Sequence, residues 1–219
     1  MKLLDKICIT ERELRMRALF LLLFLFLNVA FLLCCGGYNV SDESSSEGGE
    51  RPGGFIYQGE DENLIVVLDV ELARRRLEEK YFPLSIKIAN KRLRSLTLTR
   101  DSFILIDEDR IPHYMPDIKE LQKNYELLSS DSSFRSQTGF LGDQIVRSFS
   151  YYRKAESNFF PKTAGAGRVI DEVYVRQRGY MEDLIYFPMP QDGIQGKVLV
   201  LRIDAEELEV PADIAFTVN

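Results

Sequence analysis

The chain has 219 residues, 45% of them hydrophobic, with 28 basic and 34 acidic residues and a formal net charge of −6. Much of the acidic surplus lies between Asp42 and Glu62, so the rest of the chain is close to neutral and lacks the broad basic field that nucleic acids require. All three cysteines, Cys8, Cys34 and Cys35, precede Gly36, which excludes a disulfide within the remainder.

An apolar run, Ala18–Leu33, follows Arg12, Arg15 and Arg17. A basic segment before an apolar one is typical of a secretory signal. The alternative is an uncleaved membrane anchor. The run has about 16 residues, however, and spans about 24 Å as a helix, short of the ~30 Å hydrocarbon core of a bilayer, which favours a cleaved signal. A start at Met16 instead of Met1 would give a more usual signal, and both starts remain open.

The segment Leu32-Leu33-Cys34-Cys35 resembles the lipobox of bacterial lipoproteins, in which a small residue precedes the acylated cysteine. The resemblance implies a signal peptide over 1–34, lipidation of Cys35 and attachment to the bacterial cell envelope. Cys35 fits better than Cys34, because acylation of Cys34 would place bulky Leu33 before the modified residue. The sequence does not distinguish attachment to the periplasmic face of the outer membrane from attachment to its outer face.

Residues 35–63 are predicted to be a flexible acidic tether. Serine and glycine runs such as Ser44–Ser46 and Gly48-Gly49, with few aliphatic residues, bury too little surface to offset the entropy of ordering. The folded domain is then predicted over 64–219, which is long enough for a self-sufficient core.

Two strands open this domain, at Leu64–Leu72 and Pro83–Asn90, each with an alternating apolar pattern. Between them, Arg74–Arg76 are predicted to be solvated, with Glu78 and Glu79 as local partners.

Further strands and two helices complete the predicted elements. A hairpin is expected at Ser102–Met115, after a strand at Ser95–Thr99. A helix beginning near Pro116 carries Ile118, Leu121, Tyr125 and Leu128, and a second carries Leu141, Ile145, Phe149 and Tyr152. Together they form a helical insert at about 116–155. The last strands are expected at Arg168–Val175, Asp183–Phe187, Lys197–Ile203 and Asp213–Val218.

The fold class predicted is mainly β. Three patterns, Pro83–Asn90, Asp101–Asp107 and Asp183–Pro188, resemble the immunoglobulin-like domains of small bacterial envelope lipoproteins of unassigned function. The resemblance covers the folded region except the helical insert. It implies an immunoglobulin-like antiparallel sandwich in an envelope setting and assigns no catalytic residue.

The sequence carries few candidates for catalytic chemistry. His113 is the single histidine, and no Gly-x-Ser-x-Gly elbow accompanies it. Zinc lacks a second histidine or a free cysteine, and Asp107–Asp109 lacks the spacing of a calcium loop. Ala164–Gly167 lacks the Lys and Ser/Thr of a phosphate loop. No catalytic residue, metal or cofactor is predicted.

The favoured hypothesis is a lipid-anchored, non-enzymatic binding or assembly module of the bacterial cell envelope. Its partners would be the membrane, through the lipid, and another envelope protein. Tyr151 and Tyr152 are the predicted binding residues, because aromatic residues are enriched at protein interfaces. The alternatives are an envelope hydrolase with a carboxylate site and a passive structural lipoprotein. The absence of tryptophan argues against a hydrolase that acts on sugars.

We expect Cys35 to be the N-terminal, acylated residue of the mature protein. Mass spectrometry of the protein purified from membranes should find a diacyl or triacyl cysteine at its N-terminus. Cys35→Ser should accumulate as an unprocessed precursor. A mature N-terminus at another residue, without lipid, contradicts the expectation.

Overall fold

The computed structural model describes residues 50–53, 55–138, 150–161 and 168–219. These residues are mainly β, arranged in antiparallel sheets, as predicted. The predicted signal peptide and Cys35 lie outside them. None of the helices in these ranges is both long and apolar enough to cross a membrane.

The strands are β1 (Glu50–Gly53), β2 (Ile56–Glu60), β3 (Leu64–Asp69), β4 (Tyr81–Asn90), β5 (Ser95–Thr99), β6 (Phe103–Ile106), β7 (Pro112–Tyr114), β8 (Arg153–Lys154), β9 (Glu172–Arg176), β10 (Gly179–Pro188), β11 (Val198–Ile203) and β12 (Ala212–Thr217).

The largest sheet has six strands in the order β1-β2-β3-β4-β10-β8. Its centre is the antiparallel pair of β4 and β10, which runs over ten residues from the Gly179–Asn90 pair to the Pro188–Tyr81 pair. Every residue of β4 is buried, so this strand is covered on both faces. Short β8 lies parallel to the start of β10.

A four-stranded sheet, β12-β11-β6-β7, and a two-stranded sheet, β5-β9, complete the described topology. Strand β9 alternates apolar and polar residues, so one of its faces is buried. Val173 and Val175 are buried, while the residues between and beside them are exposed. Asn90, at the end of β4, links the sheets, because its buried side-chain amide donates to the carbonyl of Val175 at 2.9 Å.

One large hydrophobic core contains residues from all three sheets. Tyr57 of β2 packs edge-on against Phe216 of β12, with ring centroids 6.1 Å apart. Its hydroxyl lies 2.8 Å from the carbonyl oxygen of Thr217. Burial of a tyrosine is favourable when its hydroxyl keeps a hydrogen bond, as here. These contacts hold the six-stranded and four-stranded sheets against each other.

The predicted tether is too long at its C-terminal end. Residues assigned to it form β1 and β2, and Ile56 and Tyr57 are 5% and 2% exposed. The apolar triplet Phe55–Tyr57 follows glycines and precedes acids, so the average composition of the segment concealed it. The ordered domain therefore includes residue 50 rather than beginning at residue 64.

The helical insert also differs from its prediction. The structure has a one-turn helix, α1 (Glu71–Arg74), and two helices in the insert, α2 (Ile118–Asn124) and α3 (Leu128–Thr138). A single helix was predicted through Leu128, but Tyr125 is extended and separates α2 from α3. Of the predicted second helix, Tyr152 lies in a bend and the rest falls outside the described residues. Strand β8 occupies the predicted end of the insert.

Arg74–Arg76 do not use the partners predicted for them. Arg74 and Arg75 bond to the carboxylate of Glu71. Arg76 donates from Nε and Nη2 to Asp131 Oδ1 of α3, at 2.9 and 2.7 Å. The sequence could not indicate this pair, because 55 residues separate its members.

Asp131 is fully buried, and the hydroxyl of Tyr125 donates to its Oδ2 at 2.5 Å. Burial, followed by the hydrogen bond to Asp131, raises the pKa of Tyr125 above its usual value. A buried carboxylate is tolerated only when a cation and further donors satisfy it. The pair therefore fixes α3 to the connection between β3 and β4.

We expect Asp131→Asn to lower the free energy of unfolding by about 3 kcal/mol, because it leaves the largely buried Arg76 guanidinium without a counter-charge. Asp171→Asn is the matched control. Its carboxylate pairs with Arg100 but is 69% exposed, so the same change should cost less than about 1 kcal/mol. Urea denaturation of both variants measures the difference, and equal costs would contradict the assigned role of Asp131.

Candidate binding groove beside Tyr151

The two tyrosines predicted to bind a partner have different surroundings. Tyr151 is 90% exposed. Tyr152 is partly buried and packs on a second apolar cluster that contains Ile65 and Val67 of β3. Tyr151 is thus available to a partner, whereas Tyr152 contributes to the cover of the six-stranded sheet.

Tyr151 lines a surface groove of about 520 Å³, which we call the Tyr151 groove. One wall is the segment 151–155, which contains β8. The other wall is β9 with the turn that follows it. The described lining residues are Tyr151, Arg153, Lys154, Ala155, Tyr174, Arg176, Gln177, Arg178 and Gly179.

The two walls of the Tyr151 groove meet at Gly179. A Cβ at this position would lie 2.8 Å from the carbonyl oxygen of Arg176 and 3.4 Å from that of Arg153. Because real Cβ atoms do not approach backbone oxygens to 2.8 Å, any larger residue would force the walls apart. Glycine is therefore needed where the groove closes.

Backbone hydrogen bonds to β10 and its preceding turn hold the first wall. The amide of Arg153 donates to the carbonyl of Arg178 at 3.0 Å, and that of Ala155 to the carbonyl of Tyr180 at 2.7 Å. Arg178 has a left-handed backbone, with φ of 57°, and its own amide donates to the carbonyl of Asn90 at 2.8 Å. The groove is thus anchored on the central strands β4 and β10.

The Tyr151 groove is positively charged. Arg153, Arg176 and Arg178 are exposed, and within the described part of the chain no carboxylate forms an ion pair with them. Lys154, also in the lining, pairs with Glu182 at 3.4 Å. None of the described lining residues is acidic. Unpaired guanidinium groups beside exposed aromatic rings suit the recognition of carboxylates.

Tyr174 is the second aromatic residue of the groove and is 61% exposed. A hydrogen bond to the neighbouring Glu172 carboxylate raises its pKa, so the phenol remains neutral at physiological pH. The sequence did not single out Tyr174, Arg176 or Arg178. The alternation of Glu172–Arg176 was a usable signal, since it places Tyr174 and Arg176 on the solvent face together.

A second surface cavity, of about 620 Å³, lies between α3, the segment 154–160 and β10, and its described lining contains Glu156, Glu182 and Asp183. The oxygens of Asp183 accept from the amides of Phe159 and Leu184, at 3.0 and 2.9 Å. Glu182 lies 3.4 Å from Lys154. Of the three carboxylates named in this cavity, those of Glu182 and Asp183 are therefore bonded to other groups of the domain.

His113 pairs with a carboxylate, as a catalytic histidine would, but the pair serves a turn. Its Nε2 lies 2.8 Å from Asp107 Oδ2, and Asp107 Oδ1 accepts from the amide of Ile111 at 2.8 Å. Asp107 thereby bridges both ends of the turn between β6 and β7. Among the residues the structure describes, no group of three metal-ligating side chains occurs.

Comparison with protein-family models, with curated proteins and with solved structures finds no match to this chain.

Protonation of Asp107 should weaken the turn. The hydrogen bond with His113 holds the pKa of Asp107 below its ordinary value of about 3.9. A carboxyl whose pKa is lowered on folding stabilises the protein above its unfolded pKa, and the contribution is lost as pH falls through the folded pKa. We therefore expect thermal melts of the wild type and Asp107→Asn to differ at pH 6, to approach each other as pH falls below the unfolded pKa of about 3.9, and to coincide only below the lowered folded pKa. Asp109→Asn, in the same exposed turn, should follow the wild type throughout; a constant gap for Asp107→Asn would contradict the assignment.

Proposed function

We propose that this protein is a lipid-anchored, non-enzymatic binding module of the bacterial cell envelope, and that it binds its partner with the Tyr151 groove. The observation that carries the proposal is the 90% exposure of Tyr151 beside arginines that have no described ion-pair partner. Tyrosine and arginine are the residues that most often supply binding energy at protein interfaces. An exposed tyrosine ring adds apolar surface without adding stability, and arginines without a described counter-charge add none through ion pairing, so their presence together favours a binding role.

The envelope setting rests on the leader, whose Cys35 lies outside the described residues. Its supports are the basic and apolar segments before Cys35 and the resemblance of Leu32–Cys35 to a lipobox. A lipid at Cys35 would hold the domain near a membrane, and the Gly/Ser segment before β1 would let the groove reach a partner at some distance from the surface.

The immunoglobulin-like assignment belongs to the same proposal. Its support is the set of antiparallel sheets around one core, with β4 and β10 at the centre of the largest sheet. Such scaffolds commonly present binding residues on loops and edges, because these positions vary at little cost to the core. The Tyr151 groove has this position, between an edge strand and the turn before β10.

The hydrolase alternative has the 620 Å³ cavity as its best support. A glycosidase needs one carboxylic acid and one free carboxylate facing the same bond. Asp183 spends both oxygens on backbone amides, which leaves it poorly suited to either role. A passive spacer, the third candidate, would have no need for the exposed tyrosines and arginines of the groove.

We expect Tyr151→Ala to abolish or strongly reduce cross-linking of the protein to its partner in living cells. Tyr151 contributes almost no buried surface to the domain, so the substitution should leave the melting temperature unchanged. Cells are treated with a lysine- or carboxyl-directed cross-linking reagent, and their membrane fraction is then blotted for the protein.

Tyr114→Ala is the matched control. Tyr114 is 56% exposed but lies on β7 of the other large sheet, so its variant should retain the cross-link. Equal loss in both variants, or no loss in either, would contradict binding by the groove. A hydrolytic activity that disappears in Glu182→Gln would instead establish the enzyme alternative.

A further inference from the structure

Within the described part of the chain, the two-stranded sheet has one edge closed by a side chain and one edge without a neighbouring strand, which we call the open edge. On β5, the backbone amide and hydroxyl of Thr97 both donate to Glu207 Oε1, at 3.1 and 2.6 Å. This side chain occupies hydrogen-bonding positions that a further strand would need. Among the described strands β9 has β5 as its one ladder neighbour, so its other edge is not covered by a strand there.

The register determines which backbone groups of β9 lie on the open edge. Thr97 is opposite Tyr174, and the amide of Thr97 turns away from β9 to reach Glu207. In an antiparallel ladder, facing residues either exchange both hydrogen bonds or direct both sets of groups outward. The amide and carbonyl of Tyr174 are therefore directed to the open edge, in the middle of the wall of the Tyr151 groove.

Charge selects the sequence that this edge would accept. Arg176 lies two residues after Tyr174 on the same face of β9, and Arg153 and Arg178 contribute to the opposite wall and the closed end. An added strand places alternate side chains about 7 Å apart on one face. The outward face of β9 carries Glu172, Tyr174 and Arg176, so a carboxylate of the added strand would meet Arg176 towards Gly179, where Arg153 and Arg178 also line the groove.

We propose that the Tyr151 groove binds an extended acidic segment of a partner protein, which pairs its backbone with the open edge of β9 and its carboxylates with Arg153, Arg176 and Arg178. Pairing with an exposed strand edge supplies affinity that does not depend on sequence, and the side-chain contacts supply specificity. Tyr151, on the wall opposite β9, packs against the bound partner. The inference rests on the proposed function and adds the chemistry of the partner to it.

The acidic partner can be tested with a soluble peptide. The probe has about seven residues, enough to follow the five-residue strand β9, with glutamate alternating with threonine and one terminal tryptophan. The chain has no tryptophan, so the emission of the probe reports binding without background. A second peptide, with glutamine in place of each glutamate, has the same strand tendency without charge.

We expect the full-length protein, in a non-ionic detergent, to bind the glutamate peptide and not the glutamine peptide. Raising the salt from about 0.05 to about 0.5 M should weaken binding, since the Debye length falls well below 10 Å. Arg178→Asn should weaken it about two- to fivefold, as expected for one exposed ion pair. Asparagine tolerates the left-handed backbone of this position, so the turn is retained.

Arg110→Asn is the control for that substitution. Arg110 also has a left-handed backbone in an exposed turn, with φ of 62°, but lies outside the groove. It removes the same charge and should leave peptide binding unchanged. Equal weakening by Arg110→Asn and Arg178→Asn would reduce the effect to net charge and overturn the proposal.

Other results would also overturn it. Failure of the glutamate peptide to bind, while Tyr151→Ala still abolishes cross-linking in cells, would reject the acidic segment and leave the binding module intact. Stronger adsorption to vesicles of anionic than of zwitterionic lipid, lost in Arg178→Asn and without peptide binding, would assign the groove to a membrane surface. If Tyr151→Ala retains the cross-link in cells and Arg178→Asn retains peptide binding, the groove is not the binding site.

Discussion

The ten-residue pairing of β4 with β10 is the constraint on which the rest of the described structure depends. Because β4 is buried along its whole length, β10 must lie beside it in one register, and β10 then positions the segment 153–159. The amides of Arg153, Ala155 and Phe159 bond to the turn before β10, to Tyr180 and to Asp183 respectively. The hydroxyl of Ser157 donates to the carbonyl of Glu182. A loop that would otherwise sample many conformations is thus held as one wall of the Tyr151 groove.

Burial of both faces of the central sheet brings polar residues into places where they need partners. Lys87 is 3% exposed and lies 3.8 Å from Glu182 in the opposite position on β10, with its ammonium 5.5 Å from the ring centre of Tyr180. A buried charge is retained only with such compensation. The same requirement explains Asp131 and Asp183, whose carboxylates accept hydrogen bonds from within the domain. Charges that are satisfied in this way stabilise and align elements, and they are poorly placed to do chemistry. The arginines of the groove differ because they remain exposed without a described counter-charge.

This contrast separates the two surface cavities. The larger one is lined by carboxylates that are largely engaged in holding the segment 154–160, whereas the smaller one is lined by two exposed tyrosines and by three arginines without an ion-pair partner among the described residues. Volume alone would favour the first as a functional site. The distribution of unsatisfied charge favours the second, since groups that the fold does not use are those free to bind another molecule.

The sequence by itself determined the β class, most of the strands and the outward direction of alternate residues on β9, because each follows from a local period of two. The run before Cys35 predicts a leader, which lies outside the described residues. The sequence proposed both Tyr151 and Tyr152 as binding residues, and of these only Tyr151 is largely exposed. It missed β1 and β2, because three apolar residues in a glycine-rich and acidic context carry a weak signal. It mispaired Arg76 and joined α2 and α3 into one helix, since Asp131 is distant in sequence and Tyr125 leaves the helix to bond to it. Only the tertiary structure decided that Arg153 and Arg176 share a groove, because that depends on the register of β10 and on the close backbone contact at Gly179.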